Sequence, residues 1–111
     1  MPHPLPDELA ALIAKRFHVL ADPTRIKLLD RLRDGPASVG ELREAIGGSQ
    51  QNVSKHLAVL LDAGMVDRAQ EGNFAHYSIA DESVFALCEQ VCGGIRRQLD
   101  ELESVLEGGV R

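Results

Sequence analysis

Ser38-Val-Gly-Glu-Leu-Arg-Glu-Ala-Ile-Gly-Gly-Ser-Gln-Gln-Asn-Val-Ser-Lys-His-Leu-Ala-Val-Leu-Leu61 reads as two short helices joined at Gly47-Gly48. Ser38 followed three residues later by Glu41 is a capping-box pattern for the first of them. Val39, Leu42 and Ile46 form its apolar face. Ser49 suits the N-cap of the second helix, whose expected buried face is Val53, Leu57, Leu60 and Leu61. Ala63-Gly64 stops it. The second helix is polar in its first two turns and aliphatic in its last two. A helix that reads DNA is built in this way, with one end in the major groove and the other anchored in a core.

Upstream, Pro6-Asp7 opens a helix to about Leu20, with Leu9, Leu12, Ile13, Phe17 and Leu20 at helical spacing. Asp22-Pro23 restarts the chain as an N-cap followed by a proline where no amide hydrogen is needed. The helix of about 23–33 carries Ile26, Leu28, Leu29 and Leu32, and Asp34-Gly35-Pro36 ends it. Downstream the period changes to two. Residues 65–70 and 73–79 read as strands around Glu71-Gly72, a β-hairpin signal. From about Asp81 to Leu106 the helical period returns, with Val84, Cys88, Val91, Ile95, Leu99, Leu102 and Leu106 on one stripe.

The expected fold is therefore mainly α with a small β-hairpin: a winged helix-turn-helix of about five helices and a two-stranded wing. One domain spans residues 7–106, between loose tails at 1–6 and 107–111. The chain of 111 residues suffices for one modest core, and 44% hydrophobic residues argue against disorder. No apolar run approaches the roughly 20 residues of a membrane span. Met-Pro-His-Pro-Leu-Pro lacks a basic region followed by an apolar stretch, so no signal peptide is expected and the simplest compartment is the bacterial cytoplasm.

The net charge of −5 opposes nucleic-acid binding at first sight, but its distribution softens this. Residues 1–76 hold nine Lys/Arg against ten Asp/Glu, and residues 77–111 hold three against seven. The excess acid sits in the tail, and a local basic surface on a two-fold dimer still neutralises phosphates.

The expected reading face is Gln50, Gln51, Ser54 and Lys55, with Asn52 and His56 beside them. Gln and Asn pair with adenine edges, and Lys suits guanine or phosphate. Ser38, Ser49 and the free amides at the helix start suit phosphate oxygens. The plain alternative is a solvated helix start, since polar openings are common. The capped preceding helix, the glycine turn and the following hairpin favour DNA. In the hairpin, Arg68 and Asn73 are the expected contacts; the tip is less basic than a phosphate-gripping wing, so charge there adds little. Phe74 and Tyr77 are expected to pack.

Two runs, Phe17-His-Val-Leu-Ala-Asp-Pro-Thr-Arg-Ile-Lys-Leu-Leu29 and Ser49-Gln-Gln-Asn-Val-Ser-Lys-His-Leu-Ala-Val-Leu60, followed by Ala63-Gly-Met-Val66 and Glu71-Gly72, resemble the ArsR/SmtB family of bacterial metal- and stress-responsive repressors. The likeness covers roughly residues 10–95. It implies a homodimeric repressor that leaves its operator when an inducer binds, with the first and last helices at the dimer interface. The amphipathic last helix agrees, being longer than one small domain needs to cover itself; the alternative is a helix folded back on its own monomer. A two-fold dimer presents two reading helices to a palindromic operator of double-stranded DNA.

The resemblance also supplies sensory sites to check. A Cys-Val-Cys site at the start of the third helix corresponds to Ser38-Val39-Gly40, with both thiols missing. A second site opens the last helix with Asp-x-His; Asp81 is present, but Ser83 and Gly94 stand at the histidine positions. His3, His18, His56 and His76 show no ligand spacing, so no metal is expected with confidence. Cys88 and Cys92 lie one turn apart on one helix face. Three readings stay open for them: small hydrophobes at a dimer seam, a thiol sensor of oxidants or reactive sulfur, or a site for arsenite or a soft metal ion. A protein-interaction module without DNA binding is the alternative function. An enzyme is not expected, because no nucleophile–base pair or phosphate loop is present.

Overall fold

The computed structural model describes residues 1–108, in the order α1 (Asp7–Leu20), α2 (Pro23–Leu32), α3 (Val39–Ile46), α4 (Gln50–Asp62), β1 (Val66–Glu71), β2 (Phe74–Ile79) and α5 (Ser83–Gly108). Two compact units divide the chain, the first ending at Asp81 and the second beginning at Glu82.

Each helix of the first unit after α1 starts at a side-chain cap. The Asp22 carboxylate accepts the amide hydrogens of Thr24 at 2.8 Å and Arg25 at 3.2 Å, and Pro23 takes the first helical position. At α3 both halves of the capping box are made: Ser38 Oγ accepts from the Glu41 amide at 3.2 Å, and Glu41 Oε1 accepts from the Ser38 amide at 3.0 Å. Ser49 Oγ accepts from the Asn52 amide at 3.1 Å and starts α4. The turn between α3 and α4 runs through Gly47 at φ +83° and Gly48 at φ +88°. A side chain would meet nothing there, so backbone conformation rather than space calls for glycine.

The core of the first unit gathers Leu28 of α2, Leu42 of α3, Val53, Leu57 and Leu60 of α4, and Met65 and Val66 at the start of β1, all essentially without solvent contact. Burying each such side chain is worth about 1.5–3 kcal/mol. Leu61 departs from expectation. Helical spacing predicts it buried with Leu57 and Leu60, but it stands 38% exposed, one residue beyond the three-residue stripe that the core accepts.

β1 and β2 pair antiparallel from Val66↔Ile79 to Glu71↔Phe74, which places the two-residue turn at Gly72-Asn73, one position later than expected. Gly72 has φ +60° and Asn73 a negative φ, the pattern of a tight hairpin turn with glycine first. A single bridge that no local pattern announces extends this sheet. Ala37, in the loop before α3, bridges Tyr77, with the Ala37 amide donating to the Tyr77 carbonyl at 3.0 Å and the Tyr77 amide to the Ala37 carbonyl at 2.8 Å.

Phe74 corrects a second expectation. Tyr77 is buried, but Phe74 is 68% exposed. The two are three residues apart on one strand, an odd spacing that puts them on opposite faces.

In the second unit α5 runs unbroken through Gly93-Gly94 to Gly108, beyond the expected end at Leu106. The tail placed at 107–111 is thus helical at 107–108, and 109–111 lie outside the described residues. The Arg97 guanidinium folds back over both glycines: an added Cβ would stand 3.7 Å from it at Gly93 and 3.8 Å at Gly94. Residues 1–6 carry no helix or strand.

Candidate nucleic-acid interface

The polar half of α4 is presented to solvent. Ser49, Gln50, Gln51, Asn52, Ser54 and Lys55 are all exposed, whereas Val53 between them is fully buried. The chain therefore fixes α4 through Val53, Leu57 and Leu60 and leaves one side of its first turns free. Ser49 has used its hydroxyl as an acceptor for the Asn52 amide, and the amides of Gln50 and Gln51 remain at the positive end of the helix. A phosphate oxygen fits there.

Ser38 sits half-buried, its hydroxyl engaged in the capping box. Hydrogen bonds from the Ser38 amide and side chain hold the Glu41 carboxyl below its usual range, against a smaller opposing effect of desolvation; His76 and Arg31 add to the lowering. The box is thus a charged one at neutral pH, at the N-terminus of α3 where a negative charge is favourable.

On the wing, Arg68 and Asn73 are exposed. Arg68 Nη2 donates to Gln70 Oε1 at 3.3 Å, and Gln70 Nε2 donates to the Gly72 carbonyl at 3.2 Å. The wing's cation is therefore held along its own strand by a chain of contacts running to the turn. Beside it the tip offers an apolar ring, Phe74.

His56 is placed differently from its neighbours. It was expected among the DNA contacts, but its side chain is only 14% exposed and turns toward the α1–α2 corner. Its Nδ1 lies 3.2 Å from Arg25 Nη1 and 4.0 Å from Asp22 Oδ1. Desolvation pushes the Asp22 carboxyl up, but hydrogen bonds from the Arg25 and Thr24 amides, with the nearby His56 and Arg25 side chains, outweigh it and hold the carboxyl below its ordinary range. The local sequence shows Asp22 as a cap but gives Arg25 no role. The signal was present in the run Ala21-Asp22-Pro23-Thr24-Arg25, but its partner lies 31 residues away.

The sensory positions are engaged in other contacts or stand apart. Ser38 closes a capping box, Asp81 pairs with Arg16 at 2.5 Å, and among the described residues no three His, Cys, Asp or Glu side chains are grouped to hold an ion. Cys88 and Cys92 are free thiols, the first half-buried and the second exposed.

A helix-turn-helix domain family matches residues 20–69. The transcriptional regulator KmtR of Mycobacterium tuberculosis is 40% identical over 83 residues, 75% of this chain and 64% of KmtR. NmtR of the same organism is 39% identical over 87 residues, 78% of this chain and 72% of NmtR. Among solved structures, Mycobacterium tuberculosis Rv0081 superposes with a TM-score of 0.78 at 35% identity, over 86% of this chain and 97% of its own. The homodimeric winged helix-turn-helix domain of Mb0332 from Mycobacterium bovis, described as a possible ArsR-family regulator, gives 0.72 at 28% identity over 90% and 95%. These relatives are regulators, not enzymes.

Proposed function

Because this chain belongs to the ArsR/SmtB family of winged helix-turn-helix transcriptional regulators, we propose that it works as a homodimeric cytoplasmic repressor whose α4 reads a palindromic operator. The observation that carries the reading is the split character of α4: six consecutive or near-consecutive polar side chains exposed at its start, and Val53, Leu57 and Leu60 anchored without solvent contact. Gln50, Gln51, Asn52 and Lys55 address base edges, while Ser49, Ser54 and Ser38 lie along the phosphate track. Arg68 and Asn73 flank this surface from the wing.

Self-association is supported within each unit separately. α1 carries Leu12 and Phe17 more than half exposed, and α5 carries Val91, Ile95, Leu99, Leu102, Val105 and Leu106 likewise. Stripes of this kind are covered by another chain more often than by water. NmtR and KmtR are named transcriptional regulators, and a Streptomyces lividans protein named a probable mercury resistance operon repressor is 42% identical over 71 residues, 64% of this chain and 57% of its own. The first two names support transcriptional regulation here, and the third supports repression.

Selection from a random duplex library tests the reading: it should yield an inverted repeat with half-sites about one helical turn apart. A Gln50→Ala, Gln51→Ala, Lys55→Ala triple variant should lose this site while keeping its melting temperature. A folded triple variant that binds as the parent does points instead to a protein-interaction module.

The signal is proposed to act through Cys88 and Cys92. Cys88 and Cys92 are free thiols one helical turn apart, and the positions that the family resemblance assigns to metal sensing lack their ligands. A direct disulfide within an intact helix is strained, so modification of one thiol or capture of a soft ion by both is the simpler event. Mobility shifts with peroxide, polysulfide, arsenite and zinc separate these. A Cys88→Ser, Cys92→Ser variant that still releases DNA under the parent's inducer removes the cysteines from the mechanism.

A further inference from the structure

The reading helix is tied down at its middle by a knot of three polar side chains. Arg25 directs all three guanidinium nitrogens to acceptors: Nε to the Val19 carbonyl at 2.5 Å, Nη2 to the His18 carbonyl at 3.4 Å and Nη1 toward His56 Nδ1 at 3.2 Å. The first two contacts pin the guanidinium to the end of α1. The third reaches across to α4.

A guanidinium only donates, and it stays charged at neutral pH. The 3.2 Å contact is therefore a hydrogen bond only when Nδ1 presents its lone pair, with the ring proton on Nε2. Asp22 Oδ1 lies farther from the same nitrogen, at 4.0 Å, and is already taken by the amides of Thr24 and Arg25. Arg25 is thus the partner of Nδ1, and Asp22 holds the backbone from which Arg25 projects. The neighbours of His56 on α4, Ser54 and Lys55, make no comparable inward contact and stand exposed.

We infer that His56 is a positioning residue of the DNA interface: as a neutral Nδ1 acceptor for Arg25 it sets the rotation of α4 against the α1–α2 corner, and it does not read a base. This rests on α4 being the reading helix. Rotation matters because side-chain tips stand about 5–6 Å from a helix axis, so a turn of about 20° displaces them by about 2 Å. That exceeds the tolerance of a hydrogen bond to a base edge. The apolar anchors Val53, Leu57 and Leu60 resist withdrawal of α4 from the core, but non-directional packing resists rotation less well than a directed polar contact does.

Two isosteres separate the roles of the ring nitrogens. Asparagine places an acceptor oxygen where Nδ1 stands, whereas glutamine reaches the place of Nε2. With the selected operator duplex and fluorescence anisotropy, His56→Ala should weaken binding about ten- to a hundredfold, the span expected for partners in one hydrogen-bond network. Preference should fall at every position of the half-site together. His56→Asn should restore most of the affinity and His56→Gln should not. Arg25→Ala should match His56→Ala, and the double variant should be no worse than either.

Rescue by glutamine instead of asparagine, loss of preference at one base pair only, or additive losses in the double variant overturns the assignment. Imidazole nitrogen-15 shifts of the unmodified free protein decide independently of any variant's folding: an unprotonated Nδ1 at neutral pH supports the contact, and a protonated Nδ1 overturns it. Because that measurement needs no DNA, its failure is distinct from failure of the triple variant to lose binding, which strikes at the reading helix itself.

Discussion

α4 and α5 are both amphipathic, and they use their apolar faces in opposite ways. α4 is 13 residues long and places Val53, Leu57 and Leu60 wholly out of solvent. α5 is 26 residues long, and six large apolar residues from Val91 to Leu106 remain more than half exposed. The same periodicity thus serves two ends. In α4 it secures a helix within its own unit so that the polar side is free for a ligand. In α5 it leaves the apolar side itself exposed.

The contrast is broken most forcefully at Leu99. A Leu99→Glu change should convert the protein to a monomer in sedimentation experiments, since two symmetry-related copies each forfeit about 1.5–3 kcal/mol of burial and gain a charge. The melting of the first unit should not shift. Leu57→Ala should do the reverse. It should cost about 2–5 kcal/mol by chemical denaturation through the cavity left behind, while the dimer persists.

A smaller effect belongs to the start of α4. Ser49→Ala removes the acceptor for the Asn52 amide and should cost about 0.5–2 kcal/mol. The smallest expected effect is one of pH. The folded-state carboxyls of Asp22 and Glu41 lie below their ordinary values of 3.8 and 4.5. The unfolded chain therefore binds protons at a higher pH than the folded one does. The stabilisation is complete above those ordinary values and fades as pH falls through the lower folded ones. Denaturation midpoints taken from neutral to strongly acidic pH should fall less for Glu41→Gln than for the parent.

Helix starts were legible in the sequence because caps are local: Asp22, Ser38 and Ser49 announce α2, α3 and α4 within three residues of each. The anchor of α4 was legible because three aliphatic residues at helical spacing demand a core. The wing was readable in kind but not in register. A period of two places a strand without fixing which pair closes the turn, so the turn falls at Gly72-Asn73 rather than Glu71-Gly72 and Phe74 faces outward. Within the polar opening of α4, polarity alone does not distinguish His56, which turns inward, from Lys55, which does not. The deciding partner, Arg25, is distant in sequence, and only the assembled corner brings it within reach.

The bridge between Ala37 and Tyr77 bears on the mechanics of the wing. Tyr77 pairs with Arg68 on one side and Ala37 on the other, so β2 is held along both edges at its buried residue. Ala37 immediately precedes the cap of α3. A load applied at the hairpin tip is therefore passed through two backbone hydrogen bonds into the loop that starts α3, which couples the wing to the base of the helix-turn-helix.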